Sequence, residues 1–288
     1  MKKLVVLILA FIVASCSDDS KPPTVSDTYQ INVGNPVLVV EDGYHSKWSP
    51  DDNYIAYTKV VGESLEIWLC ETATNTTRCQ VSGVQGDLTV SWKSDGTAIV
   101  FDGYQGAFNS QVWVSDITTG TVEKVTNYVS QLFFPEWLHN SPQFVAGSQM
   151  SLYLMDEDGS NVQLIGDNNL RGWSCAVDFN DQRIAFTSDM EGNDDIWIVN
   201  LDGSNLRRIT TDPSHDGRPR WSPDGTKLVF ESDRSGITNI WIYDFNTSSF
   251  AQVTTTGGNM PDWSHQGDNI VYVTEQGQFY VHIEEIND

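Results

Sequence analysis

Short runs with apolar side chains at alternate positions recur along the chain, each bounded by Ser, Pro, Asp, Asn or Gly. Period-two alternation sends successive side chains to opposite faces, so each run reads as a β-strand. The stretch 217–254 carries a full set. A short strand over 218–221 ends at Ser222-Pro223-Asp224-Gly225. There proline presets the first turn corner, Asp caps locally and Gly supplies a positive φ at the end. A second strand over 227–232 is broken by Asp233-Arg234-Ser235-Gly236. A third, 239–243, is aromatic and β-branched. Asn246-Thr247-Ser248 turns the chain into a fourth, 250–254. The four predict one antiparallel sheet.

The set repeats. Trp48-Ser49-Pro50-Asp51-Asp52, Trp92-Lys93-Ser94-Asp95-Gly96 and Trp263-Ser264-His265-Gln266-Gly267 echo Trp221-Ser222-Pro223-Asp224-Gly225, and each precedes a β-rich run. Trp137 and Val177 mark two weaker copies; 139–146 departs most from the pattern, and Val177 to Asp181 lacks the Trp-Ser-Pro-Asp-Gly corner. The anchors 48, 92, 137, 177, 221 and 263 are 44, 45, 40, 44 and 42 residues apart. A period of about 40–45 residues with four strands per unit predicts a propeller. One such sheet cannot bury both faces alone, so the copies must stack, and the anchor Trp residues read as core between blades. The expected fold is all-β: a six-bladed β-propeller of four-stranded antiparallel blades.

The Trp-Ser-Pro-Asp-Gly turn, the Ser232-Asp233-Arg234-Ser235-Gly236 loop and the strand-turn from Ile196 to Gly203 resemble the WD40-like repeats of the TolB propeller family, over residues 37–283. The resemblance implies the fold and leaves the function open, since propellers host many jobs. The TolB of that family works with a peptidoglycan-associated lipoprotein, carries an extra N-terminal α/β domain and is not lipidated.

The N-terminus adds an address. Met1-Lys2-Lys3 is basic and residues 4–14 are continuously apolar. Eleven apolar residues fall short of the roughly 20 that cross a bilayer, so 1–15 reads as a secretory signal. Val13-Ala14-Ser15-Cys16 resembles the lipobox of bacterial lipoproteins, which implies that Cys16 becomes the lipidated N-terminus, anchored by several acyl chains. An ordinary secretory signal is the alternative. Residues 16–28, polar with Pro22-Pro23, read as a tether, and 29–288 as the propeller. Ser17 after the cysteine implies the outer membrane by the enterobacterial sorting rule. Ser17-Asp18-Asp19 also resembles a surface-export signal.

The strand 37–40 sits where a fourth strand belongs, with no first three before it, while the sixth copy stops after three strands. The N-terminal strand is therefore expected to complete the last blade, and closure removes exposed edges. In an oxidising envelope Cys70 and Cys79, across the turn Thr74-Asn75-Thr76, are expected to form a disulfide, leaving Cys175 a free buried thiol.

Formal net charge is −23; without Lys2 and Lys3, 14 basic residues face 39 acidic ones, or −25. That argues against nucleic acid and against anionic lipid as partners of the domain itself. Half of the sixteen cations fall in copies four and five: Arg171, Arg183, Arg207, Arg208, Arg218, Arg220, Lys227 and Arg234.

Phosphate loops and the Gly-x-Ser-x-Gly, Cys-x-x-Cys and His-Glu-x-x-His motifs are absent. His139 and His265, each two residues after its anchor, are expected on opposite sides of the ring, apart. His45 and His215 lie near one channel mouth as ordinary surface histidines, with a metal or general base the alternative. Asp189, Glu191, Asn193, Asp194 and Asp195 lack calcium-ligand spacing and read as a solvated loop. No metal and no cofactor are expected. The expected function is a monomeric, membrane-anchored binding or scaffold propeller for a protein, peptide or glycan of the envelope; an envelope hydrolase or lyase working in the channel mouth is the alternative. Loops before the inner strand and between strands two and three share one face. They supply the expected ligand face: Tyr44, His45, Phe133, Phe134, Arg171, Trp173, His215, Asp216, Arg218 and Arg234, with Tyr104 and Phe108. Aromatic platforms and guanidinium forks there suit an acidic partner steered to a cationic quadrant. The competing expectation is that these arginines pair with neighbouring Asp residues, as Arg234 with Asp233.

Overall fold

A computed structural model describes residues 43–106, 109–127, 131–148, 150–167 and 169–274, together with the backbone of 31–33, 37–38 and 279–286. The signal, Cys16, the tether and Phe108 lie outside the described residues. Every regular element among those described is a strand. In chain order, β1 (Ile31–Val33) and β2 (Val37–Leu38) precede a first blade of β3 (Gly43–Trp48), β4 (Tyr54–Val61), β5 (Ser64–Glu71) and β6 (Thr77–Val81). The second has β7 (Val90–Trp92), β8 (Ala98–Gly103), β9 (Gln111–Asp116) and β10 (Val122–Lys124). The third has β11 (Phe133–Trp137), β12 (Gln143–Gly147), β13 (Leu152–Asp156) and β14 (Gln163–Ile165). The fourth has β15 (Gly172–Val177), β16 (Arg183–Ser188), β17 (Asp195–Asn200) and β18 (Arg207–Arg208). The fifth has β19 (Asp216–Trp221), β20 (Lys227–Ser232), β21 (Asn239–Asp244) and β22 (Ser249–Gln252). A last sheet holds β23 (Asn259–Trp263), β24 (Asn269–Val273) and β25 (Phe279–Ile286).

Five sheets are four-stranded antiparallel blades with strands in sequence order. The last differs from the expected sixth copy: it is five-stranded, because both N-terminal strands join it. β25 outruns β24, pairing with it only over Phe279 to Ile283. Along its other edge β2 pairs at Val281 and Tyr280, and β1 at Ile286 to Glu284, in registers that differ by one residue. The N-terminus thus supplies two short strands end to end in place of the single strand expected over 37–40.

The sheets pack in a ring, and each interface has its own apolar core. Ile67 and Leu69 of the first blade meet Trp92 and Phe101 of the second. Val100 and Val112 meet Trp137 and Phe144. Val145 and Leu152 meet Val177 and Phe186. Ala185 and Ile198 meet Trp221 and Phe230. Val229 and Ile242 meet Trp263 and Ile270. Val271 and Val273 then meet Trp48 and Ile55, returning to the first blade. The anchors are core, as the pattern requires: Trp48, Trp92, Trp137, Val177, Trp221 and Trp263 are all buried. Two indoles also bind the preceding blade, Trp92 Nε1 donating to Lys47 O and Trp221 Nε1 to Ala176 O, both at 3.2 Å.

The turns follow their sequence chemistry. Ser222 Oγ donates to Asp224 Oδ1 at 2.6 Å, the Thr226 amide donates to the same oxygen at 3.0 Å, and Gly225 takes φ 69°. In the first and fourth copies Asp52 and Asp181 occupy that last corner, each with φ 56°. Their carboxylates reach back to the preceding blade. Asp52 accepts the amides of His265 and Gln266 at 2.7 and 3.1 Å, and Asp181 those of His139 and Asn140 at 2.7 and 2.8 Å.

The expected Cys70–Cys79 bridge is not formed; both are free thiols, as is Cys175. Register is the reason. Cys70 faces Thr77 and Cys79 faces Trp68, so the two cysteines are diagonal neighbours. Such pairs stand about 7–8 Å apart, at the edge of what a disulfide spans. Cys70 is buried, and the Cys79 sulfur turns to Glu66 Oε2 at 3.6 Å.

Deleting residues 29–41 removes both strands from β25 and exposes its edge. The melting temperature should fall by roughly 10 °C or more, since each kcal/mol lost moves a domain of this size by about 2–4 °C. Unchanged melting would mean that the N-terminal strands do not close the ring.

Candidate functional site

The inner strands are built alike. In five of them the ladder slips by a residue: between Tyr44 and Lys47, Phe133 and Glu136, Trp173 and Ala176, Gly217 and Arg220, and Asn259 and Asp262. At each slip the residue three before the anchor takes a left-handed backbone: His45 (φ 52°), Phe134 (51°), Ser174 (49°), Arg218 (52°) and Met260 (53°). The second blade has its counterpart one residue earlier, at the core residue Leu88 (52°). A non-glycine residue pays about 1–2 kcal/mol for this conformation. Side chains of the preceding blade hold it: Thr187 Oγ1 accepts the Arg218 amide at 3.0 Å, and Glu231 Oε2 that of Met260 at 2.8 Å. Such bulges re-aim side chains, here around the upper mouth of the channel.

One residue before each anchor, the strands face the axis with Lys47, Ser91, Glu136, Ala176, Arg220 and Asp262. Lys47 Nζ lies 3.4 Å from both Glu136 and Asp262, and Arg220 Nε 3.9 Å from Asp262. Two cations and two carboxylates, nearly buried, span the shaft. This cluster went unread in the sequence. Its signal was there: aligning the copies on their anchors puts four charges in one column otherwise occupied by Ser and Ala.

Below it, residues two after the anchors meet at the lower mouth. The expectation that His139 and His265 stand apart fails: His139 stacks on Phe179 with centroids at 4.2 Å, and Phe179 meets His265 edge-on at 5.3 Å. Turns from opposite sides of the ring converge on the axis, so one ring bridges both imidazoles.

The expected ligand face divides. His45, Phe134 and Arg218 share the narrow upper shaft with Met260. Burial, then Arg218 and Arg220, lower the His45 pKa to about 3, so the imidazole is neutral. Phe134, Trp173, His215, Asp216 and Arg218 line a side cavity of about 220 Å³. Tyr44 and Phe133 stand nearby on the same inner strands, Tyr44 exposed and Phe133 half-buried.

The cationic quadrant is neutralised. Arg171 pairs with Asp189 at 3.0 Å, Arg183 with Asp178 at 2.7 Å, Arg208 with Asp195 at 2.6 Å and Arg218 with Glu231 at 3.1 Å. Arg234 pairs with Asp216 at 2.7 Å rather than with Asp233, and its guanidinium lies 4.7 Å from the Phe250 centroid, so it braces the blade from within. Arg220 and Lys227 are paired too, and Arg207 lies over Phe245. Seven of these eight cations thus have a carboxylate within 4 Å, which favours the internal-pairing expectation, while Arg207 is exposed beside Phe245. The acidic loop diverges: Asp189 and Asp195 hold arginines, and the Asn193 side-chain Nδ2 donates to Asp212 O and Ser214 O. Burial raises Asp195 to about 6 against the pull of Arg208. Among the described residues, no three His, Cys, Asp or Glu side chains converge as metal ligands.

The sequence profile described as TolB beta propeller domain matches residues 168–288. The chain is similar to the Tol-Pal system protein TolB of Francisella tularensis, 27% identical over 151 residues, which is 48% of this chain and 33% of that protein. The match thus spans about a third of the length of that curated relative. In three dimensions it resembles the putative TolB of Agrobacterium tumefaciens, with a TM-score of 0.68 at 20% identity, covering 85% of this chain and 91% of that one. A gluconolactonase of Xanthomonas campestris shares the fold as well, with a TM-score of 0.69 at 11% identity over 93% and 96% of the two chains.

Removing one member of a buried ion pair strands its partner. Lys47→Met should leave Glu136 and Asp262 without their shared cation and lower stability by roughly 3–5 kcal/mol in urea unfolding. A loss under about 1 kcal/mol would mean that water already screens these charges.

Proposed function

We propose that this TolB-like β-propeller is a monomeric binding scaffold of the bacterial cell envelope, held at a membrane through Cys16, whose upper mouth grips a protein or peptide partner. The observation that carries the reading is the ring of bulges. Five inner strands adopt a costly backbone at the same position, and the outcome is a set of side chains presented at one mouth. Phe134 and Trp173 are the half-buried aromatic residues there, the type that anchors protein interfaces. The similarity to a Tol-Pal system protein supports a partner in the envelope.

The hydrolase or lyase reading has weaker support. A gluconolactonase shares the fold, yet fold alone does not carry chemistry. Proton transfer needs a group whose pKa lies near the working pH; the shaft histidine, His45, is lowered to about 3, and Asp216 of the side cavity, though raised by burial, is held by Arg234 at 2.7 Å. A glycan in place of a protein remains an outcome of the experiment. The lipobox-like Val13-Ala14-Ser15-Cys16 and Ser17 support a lipid anchor at the outer membrane.

Crosslinking in the native envelope, followed by mass spectrometry of bound protein and glycan, should recover one partner through the intact mouth. Phe134→Ala with Trp173→Ala should melt near the parent temperature and reduce capture at least tenfold, as two anchor residues worth about 1–2 kcal/mol each require. Undiminished capture would move the site elsewhere.

Metabolic palmitate labelling checks the anchor. The parent chain should be labelled and Cys16→Ala should not. Label retained on Cys16→Ala overturns the lipoprotein reading.

A further inference from the structure

We propose that the side cavity between the third, fourth and fifth blades is a subsite for an organic cation, the lysine or arginine side chain of the partner. The proposal rests on the reading of this mouth as the binding face, and adds the chemistry of what enters it.

Four carboxylates line the cavity: Asp194, Asp216, Glu231 and Asp233. Two are spent. Glu231 holds Arg218 and the Met260 amide, and Asp216 holds Arg234. Asp194 and Asp233 have no arginine or lysine partner among the described residues. Asp233 Oδ1 accepts the His215 amide at 2.9 Å, and Asp194 Oδ2 lies 3.5 Å from His215 Nδ1, on a side chain that is 70% exposed. Two carboxylates therefore face one cavity with charge to spare.

A second observation is independent of these loops. Ser174, at the bulge of β15, lines the same cavity and is 1% exposed, yet its Oγ has no hydrogen-bond partner among the described residues. A buried hydroxyl without a partner costs free energy and is uncommon in folded proteins. The Oγ is closed to solvent, so an incoming N–H donor satisfies it on rotation of the Ser174 side chain. Trp173 and Phe134 complete the wall, and aromatic faces attract ammonium and guanidinium groups.

The balance of donors and acceptors selects the ligand. A carboxylate would meet spare negative charge, and a neutral sugar would need as many free donors as acceptors. The wall offers acceptors, spare negative charge and aromatic side chains, and its own cation, Arg218, is neutralised by Glu231, a balance that fits an organic cation. The net charge of −23 draws such a group from a distance.

The test uses the whole mature chain labelled with nitrogen-15, following the Trp173 indole signal by NMR. The probes are Nα-acetyl-lysine amide and Nα-acetyl-arginine amide, with Nα-acetyl-norleucine amide as the uncharged match and methyl glucoside as the sugar. Both cationic probes should shift Trp173 saturably, and the norleucine and glucoside probes should not. Asp194→Asn with Asp233→Asn should weaken the lysine probe at least tenfold, Ser174→Ala should weaken it severalfold, and added salt should weaken it in the parent. Equal shifts from norleucine, a shift from glucoside alone, or no salt dependence would overturn the proposal without reference to any variant. The small probes also separate this claim from the partner reading. Partner capture without a lysine response removes the cation subsite and leaves the binding face. A lysine response without capture supports the subsite and removes the partner.

Discussion

Each sheet of this protein is apolar on both faces, and no sheet can stay folded with one of them wet. That requirement sets everything else. Six cores answer it, each made of side chains from two neighbouring sheets, and the last returns to the first. The anchor tryptophans are the largest pieces. A ring burying about 150–250 Å² contributes roughly 4–6 kcal/mol at about 25 cal/mol per Å². The sixth core joins the first and last sheets, and the N-terminal strands β1 and β2 add to the last sheet along β25.

The axis obeys the opposite logic. Where inner strands face each other, four charged side chains meet, nearly buried and paired. A buried ion network is a weak source of stability, because desolvation offsets most of the attraction. What it provides is an occupied shaft. Lys47, Glu136, Asp262 and Arg220 stand across the middle, with Phe179 between two histidines below.

Periodic features were legible in the sequence. The turn Ser222-Pro223-Asp224-Gly225 carries its own geometry in four residues, and third strands such as 239–243 announce themselves by aromatic and β-branched content. Local pattern suffices for both. Features set by register or by distant packing were not legible. Whether Cys79 faces Cys70 or Trp68 turns on the irregular β5–β6 pairing, which no composition signals. That Arg234 points inward to Asp216, with three aromatic rings around it, depends on a contact 18 residues away. The meeting of His139 and His265 required knowing that turns from opposite blades reach the axis. The mouth residues His45, Phe134, Trp173 and Arg218 were picked out by loop position alone, which in a propeller is fixed by strand order.

The bulge residues have nothing chemical in common: an imidazole, a phenyl ring, a hydroxyl, a guanidinium and a thioether. At three of these positions a side chain of the preceding blade holds the backbone amide: Thr187 at Arg218, Glu231 at Met260 and the Met260 sulfur at His45. The backbone of the frame and the side chain at the surface are separated most fully at Phe134 and Ser174, since Met260 and Arg218 also bind neighbours through their own side chains. A substitution at such a position changes the side chain presented at the rim, while the ladders on either side run on through their own backbone pairs. The same bulge repeated in five blades makes the rim a row of equivalent mounts, each carrying its own chemistry on a common backbone.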